Sequence, residues 1–201
     1  RSAGSFHRLD ASEWPQELRD VAWPMLRNLE QLAITIRTYE KMIRELAETP
    51  AFRAQVDRLR EIHYVGLFVA TAFVAVTGGD VGRFGKPRDV GAWLGLTPRQ
   101  DQSGDTDKQC RITKAGSPLM RRLLVESAQM ILRDGSADTD LKAKGLRICA
   151  RGARIAKRKA VTAVARSLAV LMAAMLRRPD TPYVPLSERA RAELERMRAV
   201  A

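Results

Sequence analysis

The chain has 201 residues, 45% of them apolar, with 35 Lys and Arg against 23 Asp and Glu and a net charge of +12. Such a chain is not disordered and is long enough for a real core. The basic excess points to a polyanionic partner, with nucleic acid ahead of an anionic membrane.

No stretch of 18 uncharged apolar residues occurs, so no membrane span is expected. The first residues, RSAGSFHRLD, lack an apolar signal core. Cys110 and Cys149 form no CxxC pair, which argues against a disulfide scaffold or a zinc site and for a reducing cytosol. The sequence begins without Met and reads as a piece of a longer protein.

Residues 1–14 read as a flexible leader. Residues 15–50 read as a coiled-coil-type helical segment. Leu18, Val21, Met25, Leu29, Leu32, Ile36, Ile43 and Leu46 recur there at helical steps, and Thr49-Pro50 marks a stop. Pro24 predicts a kink or a split in its early part. Residues 1–50 hold 7 bases and 8 acids, a balance that suits a helix pairing with another through residues 15–48. Such a helix equally serves as a packing helix of a single domain.

A helix from Ala51 to about Ile62 comes next, then a turn at Val65-Gly66 and an apolar helix to Thr77. That order predicts a helix-hairpin-helix-like element whose glycine sits in the tight turn, with helix amides free to face a phosphate. The plainer reading is a buried helix entered through a turn. A short helix follows from Pro87 to about Gly95. Further helices are expected from Ser117-Pro118 to Arg133, from Leu141 to Cys149, from Ala153 to Arg178 and, in a tail over 186–201, from Ser187. Strand signals are few. The expected class is all-α, with a compact domain over 51–185.

The charge is uneven. From Leu141 to Arg178 there are eleven bases and no acid. A block of one sign repels itself unless an anion neutralises it, so Arg154, Lys157, Arg158 and Lys159 are candidate phosphate contacts. Aromatic residues are 5% of the chain, too few for stacking along single strands to dominate.

Between the apolar segments lies TPRQDQSGDTDKQCRITKAGS, residues 97–117. Its alternating aspartates fail as a calcium loop, because Thr106 and Ile112 stand where Gly and Glu are required. Aspartates crowded on one loop also suit caps and turns better than a two-metal centre. Ser103 precedes Gly104 and is bracketed by Arg99, Lys108, Arg111 and Lys114. Cations stabilise the charge that builds when a hydroxyl attacks a phosphodiester. His7 and His63 lie far away in sequence, so a Ser-His-Asp triad has little support. The residues alone leave a nucleophile and a simple turn serine both open.

IHYVGLFVATAFVAVTGGDVGRF, the RDVGAWLGLTPRQDQSGDTDKQCRITKAGSPLMRRLLVESA block and AKRKAVTAVARSLAVLMAAMLR resemble, in that order and spacing, the C-terminal transposase domain of one bacterial insertion-sequence family. Its members carry an N-terminal RuvC-like DEDD domain and are described as bridge-RNA-guided recombinases. The resemblance spans about residues 15–185 and implies a DNA-binding, helical domain of a bacterial, nucleoid-associated transposase.

It places the family's serine nucleophile on Ser103, with Arg99, Arg111 and Lys114 holding the phosphate and Arg121 and Arg122 opening the next helix. It implies DNA as a partner, guide RNA in the full-length enzyme, and a homo-oligomer through residues 15–48. Mg²⁺ is expected on the RuvC-like domain and no metal or other cofactor on this chain, which alone is then expected to be inactive. One departure is Ile62-His63-Tyr64-Val65-Gly66, where the family turn reads I-P-G-hydrophobic-G. A non-catalytic nucleic-acid-binding and oligomerisation module is the alternative.

Overall fold

The computed structural model describes residues 14–103, 106–152 and 155–200, with side chains other than those of 100–110 and 200. The chain divides into two units, residues 1–48 and 49–201. Among the described residues the first holds one helix, α1 (Gln16–Ala47). It runs continuously through Pro24, so the split expected as one alternative there does not occur. Met25, Leu29, Leu32, Ile36, Tyr39, Ile43 and Leu46 follow each other at alternating four- and three-residue steps, the spacing of a coiled-coil seam. All of them except the half-buried Ile43 are exposed.

The second unit is helical, as its composition predicts. It contains α2 (Arg53–Arg60), α3 (Leu67–Thr77), α4 (Asp89–Trp93), α5 (Pro118–Ile131), α6 (Asp140–Cys149), α7 (Ala156–Arg177) and α8 (Glu188–Val200). Between α4 and α5 stand two short strands, β1 (Pro98–Ser103) and β2 (Thr106–Ile112). The centre of the unit is α7, which packs against α2, α4, α5 and α6. Its Ala160, Val164, Ala165, Leu168, Ala169, Met172 and Ala173 are all buried. The helix is long and apolar enough to cross a membrane by length and composition, but it spends that apolar surface on the protein core. Small residues on α7 let its neighbours come close. A Cβ on Gly145 of α6 would lie 2.9 Å from Val164 Cγ2 and 2.3 Å from Leu132 Cδ2 of the segment after α5.

The C-terminal segment is strapped to α6. Asp140 N–H donates to the Pro185 carbonyl at 2.9 Å, and Asp140 Oδ1 accepts from the Ser187 amide at 2.7 Å and the Ser187 hydroxyl at 3.0 Å. Leu194 and Ala190 of α8 then cover Ala143 of α6.

The turn between α2 and α3 is present, but its conformational demand is not where the sequence put it. Gly66 caps α3 at φ −79°, and a Cβ there would meet nothing within 4 Å. The left-handed residue is Tyr64, at φ 68°. An L side chain in that region costs about 1–2 kcal/mol. The Tyr64 hydroxyl accepts the Ala137 amide at 2.7 Å, tying the turn to the α5–α6 connection.

Gly95 is the opposite case. It sits at φ +70°, and a Cβ would lie 2.2 Å from the Ala115 amide nitrogen. Gly95→Ala is therefore expected to lower the unfolding free energy by at least about 2 kcal/mol, and Gly66→Ala by less than about 1 kcal/mol. Urea unfolding of the two variants measures this, and the reverse order would contradict the account.

Candidate nucleic-acid interface and its serine hairpin

The central polar stretch, expected as a loop, is an antiparallel hairpin. Ser103 pairs with Thr106, Gln102 with Asp107, Asp101 with Lys108, Gln100 with Gln109 and Pro98 with Ile112. Gly104-Asp105 lies between the last paired residues, a composition that two-residue hairpin connections favour. Between the pairs at Gln100 and Pro98 the register shifts, so that Arg99 alone faces Cys110 and Arg111. This bulge makes Arg99 and Arg111 neighbours across the hairpin base.

The base is built by backbone interlock. Gly116, at φ +71°, would place a Cβ 2.3 Å from the Trp93 carbonyl oxygen, and Gly95 meets the Lys114–Ala115 backbone in the same way. Two chain segments pass at a distance that only glycine allows. Lys114, at φ 59°, adopts the same left-handed conformation between them. Lys114 N–H donates to the Gly95 carbonyl at 3.1 Å, and Thr113 N–H to that of Thr97 at 3.0 Å.

One guanidinium seals the crossing. Arg121 Nη1 donates to the carbonyls of Leu94 (3.2 Å), Gly116 (3.1 Å) and Ala115. Beyond it, Ser117 caps α5 by accepting the Met120 amide at 3.2 Å. Behind it, Trp93 packs edge-on against Phe84 at 5.3 Å, and the Arg83 guanidinium lies 4.7 Å from the Trp93 ring.

The candidate phosphate ligands separate into groups. Arg99, Arg111, Lys114 and Arg122 are exposed, and no carboxylate pairs with them among the described residues. Arg121 is committed to carbonyls at the hairpin base. The side chains of Ser103 and Lys108, and Arg154 altogether, lie outside the described residues.

Lys157, Arg158 and Lys159 form an exposed first turn of α7, which has no side-chain cap and no acid there. Cations at a helix N-terminus oppose the macrodipole by about 0.3–1 kcal/mol each, an expense that a bound anion reverses. Lys157 and Arg158 border a groove of about 710 Å³ between the end of α5 and the start of α7, together with Arg133, Asp134 and Gln129.

Other bases of the 141–178 block serve the fold. Lys142 is buried and donates to the Ser136 carbonyl at 2.7 Å. Arg147 pairs with Glu193 at 2.7 Å. Arg177 donates to the Gly85 carbonyl at 3.0 Å. Among the described residues no group of three His, Cys, Asp or Glu is placed to hold a metal. The interlock of Gly95 with Gly116 is what sequence reading missed. Gly95 looked like a helix end, and nothing in its spacing announces a partner 21 residues away.

Comparison with known proteins bears on this region. Residues 56–143, from α2 into α6 and including the hairpin, match the family described as transposase IS116/IS110/IS902. A probable family 20 transposase of Pseudomonas aeruginosa is 32% identical over 127 residues, covering 61% of this chain and 37% of that protein. The transposase for insertion sequence element IS1111A of Coxiella burnetii is 30% identical over 146 residues, covering 73% of this chain and 38% of that protein. A putative transposase of Sinorhizobium fredii is 42% identical over 89 residues, covering 44% and 23%. The chain thus spans well under half the length of these relatives.

Arg121→Ala should lower the unfolding free energy by about 1–2 kcal/mol. It should also speed amide exchange across 98–112, with Arg121→Lys intermediate. Unchanged exchange in the hairpin would show that the guanidinium does not anchor it.

Proposed function

The chain carries, at residues 56–143, a domain of the transposase IS116/IS110/IS902 family, and on that premise we propose that it serves DNA transposition as the DNA-binding, nucleophile-bearing part of the enzyme. The observation that carries this reading is the placement of Ser103. It stands at the last paired position of a hairpin whose base is interlocked and whose flanks hold Arg99, Arg111 and Lys114 without acid partners among the described residues.

In the reaction Ser103 Oγ attacks the scissile phosphorus. The Oγ–P bond forms, the P–O3′ bond breaks, and the leaving 3′ oxygen gains a proton as the serine loses its own. The products are a 5′-phosphoserine–DNA link and a free 3′-hydroxyl. Arg99, Arg111 and Lys114 offset the negative charge that develops on the phosphate oxygens. The exposed Arg122, with Lys108 and Arg154, extends the positive field, and Lys157, Arg158 and Lys159 grip the DNA backbone. A RuvC-like domain of the full-length enzyme would hold Mg²⁺, which would supply further charge stabilisation at the phosphate. The described residues here offer no such ligand cluster. Guide RNA is a further partner of that enzyme, which works in the bacterial cytoplasm on nucleoid DNA.

The exposed seam of α1 supports self-association. Seven positions from Met25 to Leu46 keep coiled-coil spacing and six of them remain in water, which a second copy of the helix would cover. Leu32→Glu with Ile36→Glu should shift the molar mass seen by light scattering toward the monomer. An unchanged mass would remove this helix as the interface.

The test of the chemistry uses the full-length enzyme on a nicked substrate that traps the intermediate. Ser103→Ala should abolish the covalent DNA adduct and strand exchange while leaving DNA affinity within about twofold. An unaltered adduct yield rejects the nucleophile. It would favour the second reading, a binding and oligomerisation module that leaves chemistry to other residues.

A further inference from the structure

A second cluster of cations lies where α6 crosses α7. Lys144 Nζ donates to Ser167 Oγ at 2.5 Å. Partial desolvation of this otherwise exposed side chain, and then the like charges of Arg166 and Arg147, hold its ammonium below the usual lysine range. Arg147 is already neutralised by Glu193 at 2.7 Å. Lys144 and Arg166 have no carboxylate partner among the described residues.

Close packing sets the helices that carry this pair. Gly145, next to Lys144, lets α6 settle against Val164 and Leu132. Gly91 of α4 leaves room for the Arg166 stem, since a Cβ there would lie 2.9 Å from Arg166 Cγ. Two like charges positioned by close helix packing, with a hydroxyl between the elements, form a preorganised anion site. Lys159 and Arg166 are seven residues apart and so share one stripe of α7, about 10 Å apart along its axis. The cluster thus continues the exposed basic turn of that helix.

We propose that Lys144, Arg166 and the Ser167 hydroxyl form a phosphate subsite for the DNA backbone, one step further along α7 than Lys157–Lys159. This rests on the reading of the chain as DNA-binding. The subsite takes one phosphodiester. The ammonium and guanidinium donate to its non-bridging oxygens, and the Ser167 O–H supplies a third donor.

The experiment measures binding of the 201-residue chain to a short fluorescent DNA duplex across a salt series. Lys144→Gln with Arg166→Gln should reduce the slope of log affinity against log salt by about one and weaken binding about tenfold at low salt. Ser167→Ala should keep the slope and weaken binding a few-fold. Melting curves establish that each variant is folded. Where the double variant is not, Lys144→Gln alone, at an exposed position, reads the slope.

A folded variant with unchanged slope and affinity overturns the subsite. The triple variant Lys157→Gln, Arg158→Gln, Lys159→Gln separates the two ideas. If it loses affinity while the Lys144 and Arg166 variants do not, only the subsite fails. If the unaltered chain does not bind DNA at all, both fail.

Discussion

The close passage of Gly95 over the Lys114–Gly116 backbone is the constraint on which the candidate site depends. The 98–112 segment has few apolar residues of its own, and a two-stranded ribbon in water is marginal at best. It is held because its two ends are fixed to each other and to the core. Gly95 and Gly116 permit the approach, Lys114 accepts a left-handed conformation to make the turn, and Arg121 satisfies the carbonyls that the crossing exposes. α4, which ends just before Gly95, and α5, which carries Arg121, pack in turn on α7. The hairpin therefore gains its position from the fold.

The basic residues divide by the same logic. Those that find carbonyls or acids, Lys142, Arg147, Arg177 and Arg121, hold elements together. Those with no such partner among the described residues, Lys157, Arg158 and Lys159 with Arg99, Arg111, Lys114 and Arg122, are exposed. Sequence reading treated the 141–178 run as one patch, because charge count carries no information on which side chains turn inward. It likewise set Arg121 beside Arg122, although one caps three carbonyls and the other is exposed.

Most of the helical order was legible. Ser117-Pro118 marks the start of α5, the apolar run after Gly66 becomes α3, and the seam of α1 shows in its spacing. The hairpin was not, because its strands are polar and lack the β-branched alternation by which strands are recognised. The Gly-Asp step between Ser103 and Thr106 was the available signal. Tyr64 was equally hidden, since no sequence rule gives a left-handed conformation to a tyrosine when a glycine stands two residues on. There a tertiary hydrogen bond to Ala137 accompanies the local strain.

The claim that the hairpin presents a phosphate-attacking serine is tested most directly by locating the covalent link. A full-length enzyme trapped on a suicide DNA substrate, digested with trypsin and nuclease, is read by mass spectrometry. The account predicts a nucleotide remnant on the peptide from Gln100 to Lys108, at Ser103. A remnant on any other residue, or a trapped complex with that peptide unmodified, would contradict it.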